Sequence, residues 1–198
     1  MKLYTRSGDG GETGLYGGAR VLKCHLRIAA CGDVDETNAA LGLVLAAGCD
    51  AETGETIRLI QRDLFSAGAE LADIPAGGAR PTRPQARGSV PVRLEDQVAR
   101  LEQWIDAACA EAGPLRHFVL PGGTAAAAAL HAARTVCRRA ERSVVALAQQ
   151  EPVARGILAY LNRLSDLLFA LARRANHRAG TPDILWSGPA GSQDNQTR

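Results

Sequence analysis

Arg134, Arg138, Glu141 and Arg142 stand at i, i+4, i+7 and i+8 within Arg134-Thr-Val-Cys-Arg-Arg-Ala-Glu-Arg142. At about 100° per residue this spacing puts all four on one face of a helix. Leu130, Ala133, Val136, Ala140, Val144 and Leu147 fill much of the remaining circumference. A helix this apolar packs on several sides, and charges carried into such surroundings need a partner or a ligand. Three cations and one carboxylate do not neutralise one another. The set fits either an inter-helix salt-bridge network or a bound polyanion.

A second stretch bears on that choice. Residues 1–20, MKLYTRSGDGGETGLYGGAR, hold Gly8, Gly10, Gly11, Gly14, Gly17 and Gly18 among Thr5, Arg6, Ser7, Asp9 and Thr13. Glycines permit positive φ and close backbone approach, so consecutive N–H groups can cradle an anion. The arm is neither GxxxxGK[ST] nor a strand–GxGxxG–helix, so both common phosphate-loop patterns are absent. Hydroxyls and an arginine among the glycines favour phosphate contact over a plain mobile arm.

The elements that must carry these groups read as helices. With 198 residues and 46% hydrophobic content the chain can build one substantial core, and 4% aromatics mean a core mainly of Ala, Leu and Val. Such small side chains suit closely packed helices. Periodicity places helices over about 21–47, 55–72, 93–111, 124 onward and 152–177, the last opening on Pro152 in its first turn. Gly32, Asp33, Asp35, Glu36 and Asn38 sit in the middle of the first, where propensity does not favour them. They predict either a solvated acidic face or a partner across an interface. Residues 74–92, with four prolines and three glycines, read as a mobile loop within one domain spanning 1–186. Residues 187–198 form a polar, disorder-prone tail.

A formal net charge of +2 gives no case for nucleic acid or a membrane surface. No apolar run reaches the roughly 18 residues of a membrane span, and the N-terminus lacks a signal peptide's apolar segment. Cys24, Cys31, Cys49, Cys109 and Cys137 are odd in number and form no CxxC pair, which predicts reduced thiols, no cysteine metal site and a cytoplasmic protein.

Five stretches together resemble the PduO-type family of ATP:cob(I)alamin adenosyltransferases. They are Tyr4-Thr-Arg-Ser-Gly-Asp-Gly-Gly-Glu-Thr-Gly14; Arg20-Val-Leu-Lys23 with Gly32-Asp-Val-Asp-Glu-Thr-Asn38; Phe118-Val-Leu-Pro-Gly-Gly-Thr124; Arg134 through Arg142; and Tyr160-Leu-Asn-Arg-Leu-Ser-Asp166. The resemblance implies an all-α five-helix bundle that assembles as a homotrimer, with sites at the subunit interfaces. It implies transfer of the 5′-deoxyadenosyl group of MgATP to the cobalt of a reduced corrinoid such as cobalamin, with release of triphosphate. Carried over by residue, it implies ATP contacts at Thr5, Arg6, Ser7, Gly8, Thr13, Gly14, Lys23, Arg138, Arg139, Glu141, Arg142 and Asn162. It also implies an interfacial pair between Arg134 and Asp35, and an aromatic, Phe118, closing the lower face of the corrin. A corrinoid reductase and an adenosylcobalamin-dependent acceptor enzyme are the partners it suggests.

The residues agree with that chemistry. A cobalt(I) nucleophile needs no Ser, Cys or Lys nucleophile, and none stands beside a base. A leaving triphosphate needs cations, backbone donors and Mg²⁺. Lys23, Arg138, Arg142 and the glycine arm supply the first two. Phosphate oxygens and water can hold Mg²⁺ without a protein cage, with Glu141 placed to bind one of its waters. The alternative is a non-catalytic corrinoid or nucleotide carrier on the same bundle, which would not need the full cationic clamp. A purely structural helical oligomer leaves the glycine arm unexplained.

Overall fold

In a computed structural model, which describes residues 2–15, 18–73 and 94–187, the chain enters its first helix later than the periodicity suggests. Residues 21–25 are not helical. The glycine arm folds back on itself as an antiparallel hairpin of β1 (Glu12–Gly14) and β2 (Arg20–Leu22), with Thr13 opposite Val21. Helix α1 (Leu26–Ala46) starts only after His25, whose Nδ1 accepts the Arg27 N–H at 3.2 Å and so caps the helix. Val21 and Leu22 belong to the ribbon instead of the helix.

Helix α2 (Ala51–Leu71) begins four residues before the expected Glu55, because Asp50 accepts the Thr53 N–H at 3.0 Å as a side-chain cap. Helix α3 covers Leu94–Ala112, and α4 covers Ala125–Ala148 behind Thr124, whose hydroxyl accepts the Ala127 N–H at 3.1 Å. Helix α5 (Arg155–Arg178) corrects the reading of Pro152 as a first-turn residue. Ala154 occupies the cap position without a capping side chain, and Glu95 of α3 accepts the Gly156 N–H at 3.1 Å instead. A capping carboxylate distant in sequence could not be seen from the local pattern. The five expected helices are present; what was expected of the 74–92 loop, and of the tail after Ser187, lies outside the described residues.

Helix α1 packs on α2 and α4, while α5 packs on α3 and α4. The core is the expected small-residue mixture: Ala30, Leu41, Ile57, Leu64, Leu101, Ala133, Ala140, Leu161 and Leu168 are among its fully buried members. Val136, expected in the apolar stripe of α4, is half-buried. Two polar clusters tie the elements. Arg27 is buried and donates to Glu151 at 2.6 Å and to the Leu71 carbonyl at 2.7 Å, joining α1, the end of α2 and the α4–α5 turn. Asp63 accepts from the buried Tyr160 hydroxyl at 2.8 Å and from Arg100, joining α2, α3 and α5. Every charge in these clusters has a partner, as burial requires.

Helix α4 also accounts for part of the acidic middle of α1. Ser143 donates to Asp33, and Arg139 pairs with Glu36 and, at 3.4 Å, with Asp33. Asp35, on a different face, is exposed.

Candidate functional site

The arm is held open by its own contacts. The Thr5 and Ser7 hydroxyls bond each other at 2.8 Å, and Arg20 donates to the Ser7 carbonyl at 2.7 Å and to Glu12 at 3.2 Å. Arg6 has φ +63, the only positive φ outside glycine among the described residues, and its guanidinium lies 5.6 Å from the Tyr4 ring centroid. A non-glycine residue in that region is strained by about 1–3 kcal/mol and is commonest at ligand clamps. Gly8 has a local steric reason: a Cβ there would lie 3.3 Å from both Lys23 Nζ and the Glu12 carbonyl. The Lys23 ammonium therefore rests on the Gly8 backbone. Thr13 is half-buried and Gly14 exposed in the ribbon. Thr5, Arg6, Ser7, Gly8, Thr13, Gly14 and Lys23 thus form one polar loop.

A second cluster lies between α4 and α5. Asn162 donates to Glu141 at 3.0 Å, fixing the carboxylate one turn beyond Arg138 and beside the exposed Arg142. Arg138 is exposed and Arg134 half-buried on the same face. Arg139 departs from this cluster, because its side chain is taken up by Glu36 and Asp33 of α1. Among the described residues no hydrogen bond or ion pair joins the arm to the α4–α5 cluster.

Below Arg138 a cavity of about 270 Å³ opens between α3, α4 and α5, lined by Ile105, Leu115, Arg134, Asp166, Phe169 and Arg173 among others. Arg134 Nε is buried there with no partner among the described residues. His131, one turn back, is buried with neither ring nitrogen bonded, and its ring meets Phe169 edge-on at 5.8 Å. Burial, reinforced by Arg134, lowers its pKa. Buried polar groups without partners are rare enough to need a reason. Asp35 stands in a different groove, of about 490 Å³ between α1 and α2, with Asn38, Phe65 and Gly68. Within one chain Arg134 and Asp35 therefore face separate grooves.

Phe118 is 78% exposed and its ring meets Trp186 edge-on at 6.2 Å and 74°. Cys137, inside the motif, is fully buried with Sγ 3.4 Å from the Leu161 carbonyl, and burial pushes its thiol up to about 12. It is a core residue, not a nucleophile. Phe169, Arg173, Asn176, Asp183 and Trp186 were not singled out in sequence. The one available signal was Asn176 among the polar residues that close an otherwise apolar helix.

An exposed cationic face over a partly apolar cavity, with a glycine ribbon that carries an ammonium, gives this helical bundle groups that can meet a polyanion beside an apolar ligand. Residues 3–175 match the cobalamin adenosyltransferase family, and the chain belongs to that family. It is 46% identical over 189 residues to a corrinoid adenosyltransferase of Mycobacterium leprae, covering 93% of this chain and 95% of that protein. It is 44% identical over 195 residues to a corrinoid adenosyltransferase of Bacillus subtilis, covering 96% and 94%. The fold is similar to that of a variant PduO-type ATP:corrinoid adenosyltransferase from Lactobacillus reuteri complexed with cobalamin and ATP. The TM-score is 0.83, with 37% identity and coverage of 94% of this chain and 99% of that one.

Proposed function

We propose that this chain transfers the 5′-deoxyadenosyl group of ATP to the cobalt of a reduced corrinoid. Cobalt(I) attacks C5′ with its electron pair, the cobalt–carbon bond forms as the C5′–O bond breaks, and triphosphate leaves with that bond's electrons. The observation that carries the reading is the Arg138–Glu141–Arg142 face, braced by Asn162 and set beside the Arg134–Phe169 cavity. The guanidiniums of Arg138 and Arg142 face charge that grows on the leaving oxygens, where fixed cations stabilise the transition state more than the ground state. Lys23 and the ribbon's N–H groups serve the same phosphates from the arm. The apolar part of the cavity's lining would pack against one edge of the corrin.

Mg²⁺ fits the donor set in a limited way. Among the described residues no three His, Cys, Asp or Glu cluster as ligands, and Glu141 is the carboxylate that α4 itself carries on the cationic face. The ion would supply charge neutralisation on the phosphates. Glu141, held by Asn162, would accept from a water around it, while Arg139, bound to α1, would reach the nucleotide only by leaving Asp33 and Glu36.

Three copies complete the site. Arg134, with its Nε unbonded, and the exposed Asp35 stand in separate grooves of one chain, so a pair between them would have to form between chains. A face of one copy set on a different face of the next repeats until a ring closes. The arm of one copy then lies over the α4–α5 face of its neighbour, which would bring together groups that one chain keeps apart. The free thiols suit a reducing compartment, and among the described residues no helix is long and apolar enough to cross a membrane.

The test is to incubate the folded protein with ATP and chemically reduced cobalamin and follow the absorbance of adenosylcobalamin. Product that requires both ATP and protein is expected. A folded protein that binds both ligands and makes none would be a carrier.

A further inference from the structure

The loop that carries Phe118 is gripped at both ends by the last turns of α5. Arg173 donates to the carbonyls of Ala112 at 3.4 Å and Gly113 at 3.2 Å, where the loop leaves α3. Asn176 accepts the Thr124 N–H at 3.0 Å and donates to the Gly122 carbonyl at 3.1 Å, where the loop enters α4. The fit at that end is tight: Gly123 has φ +99, and a Cβ on it would lie 2.1 Å from Asn176 Oδ1. Neither grip reaches Phe118 itself.

The middle of the loop is held by another segment. Residues 181–186 leave α5 and run antiparallel to 118–120, with the Trp186 N–H on the Phe118 carbonyl and the Leu120 N–H on the Ile184 carbonyl, both at 2.8 Å. The Trp186 ring is the aromatic partner of the exposed Phe118 ring. Asp183 anchors this strap, accepting from Arg173 at 2.9 Å and from Asn176 at 3.3 Å. The two α5 residues that grip the loop ends thus also hold the strap, and Arg173 lines the cavity beneath Arg134.

We propose that the 181–186 strap is a positioning element for Phe118, with Trp186 setting the ring and Asp183 fixing the strap to α5. The proposal rests on the reading of Phe118 as the group that closes the lower face of the corrin. A ring 78% exposed has no core to hold its rotamer, so its placement depends on Trp186, its one aromatic partner among the described residues. If that ring keeps a nitrogen ligand off cobalt(II), the strap governs the one-electron reduction to cobalt(I), with a reduced flavin as donor, and not the later alkylation.

The experiment compares wild type, Phe118→Ala, Trp186→Ala, Trp186→Phe and Asp183→Ala from two starting states: cobalt(II) with reduced flavin, and cobalt(I) made chemically. The electron paramagnetic resonance of the bound cobalt(II) reports axial nitrogen separately from activity. Trp186→Ala and Asp183→Ala should slow the cobalt(II) reaction by about three- to tenfold, the scale of one aromatic contact. The loss should shrink with cobalt(I), and the axial-nitrogen signal should rise. Trp186→Phe should restore both readouts, and Trp186→Ala added to Phe118→Ala should change little. A Trp186→Ala enzyme with wild-type behaviour, beside an impaired Phe118→Ala, would overturn the strap proposal and leave the Phe118 reading standing. Equal losses from both cobalt states would overturn it in favour of plain folding support. A Phe118→Ala enzyme unchanged in both readouts would remove the Phe118 reading and the strap proposal with it.

Discussion

At the scale of single residues, charge placement divides the cations of α4 into three kinds. Arg139 is committed to the chain's own fold through Glu36 and Asp33. Arg134 is half-buried with an unbonded Nε over the cavity. Arg138 and Arg142 are exposed, beside a carboxylate that Asn162 holds in place. Only the last two are free to meet a leaving group without dismantling something else. Arg138→Ala should therefore lower kcat/KM by about 2–4 kcal/mol of transition-state stabilisation while leaving Tm nearly unchanged. Arg138→Lys should recover little of it, because a point charge does not reproduce the guanidinium fork on phosphate oxygens. Steady-state kinetics with ATP varied, alongside thermal melts, separate this from a folding defect. A large drop in Tm with kcat/KM intact would make Arg138 a structural residue.

At the scale of elements, the helices were legible because alternating Leu and Ala at helical spacing has few other uses. Their ends were legible only where the cap is local. Thr124 ahead of the alanine run is such a case, whereas α5 takes its cap from Glu95, 61 positions away. The strap and its anchors escaped for the same reason: Asp183 and Trp186 become meaningful only beside Arg173 and Phe118. Glu95→Ala should remove the α5 cap and lower stability by about 0.5–2 kcal/mol, measured by urea denaturation. An unchanged midpoint would mean that water caps Gly156 equally well. Near the other end of α5, Arg178 donates to Glu111 at 2.6 Å and to Glu52 at 2.8 Å, tying together three helices. The Arg178 hydrogen bond is the main reason that both carboxyls sit below their ordinary range. A depressed carboxyl contributes stability that is complete above its unfolded pKa, about 4.3 for Glu, and is lost as pH falls through the lower folded value. The Tm advantage of wild type over Arg178→Ala should thus be constant above about pH 5 and narrow below about pH 4. A gap that persists undiminished to low pH would assign Arg178 a packing role alone.

At the scale of the whole molecule, one chain holds two polar clusters that it does not join. The arm carries Lys23 and its glycines, the α4–α5 face carries Arg138, Glu141 and Arg142, and no polar contact among the described residues links them. Arg134 and Asp35 show the same division, one in the α3–α4–α5 cavity and the other in the α1–α2 groove. Pairing these two between copies would satisfy the unbonded Nε of Arg134 and give Asp35, the one mid-helix carboxylate that Arg139 and Ser143 leave alone, its reason for being there. It would also seat exposed Phe65, which borders the Asp35 groove, against a neighbour. Removing either partner strands the other in a buried surface, at a cost of about 3–5 kcal/mol for a dry pair. Arg134→Ala and Asp35→Ala should each shift the assembly toward smaller species in light scattering and lower kcat/KM. The double variant should be far less impaired than the sum of the two, since the second change removes a charge the first had already orphaned. Each single variant must also be compared at several protein concentrations, because mass action restores a weakened ring at high concentration but cannot restore a lost ATP contact. A wild type that scatters as a monomer, or single effects that add strictly, would separate the two residues and return Arg134 to the cavity as a contact of one chain only.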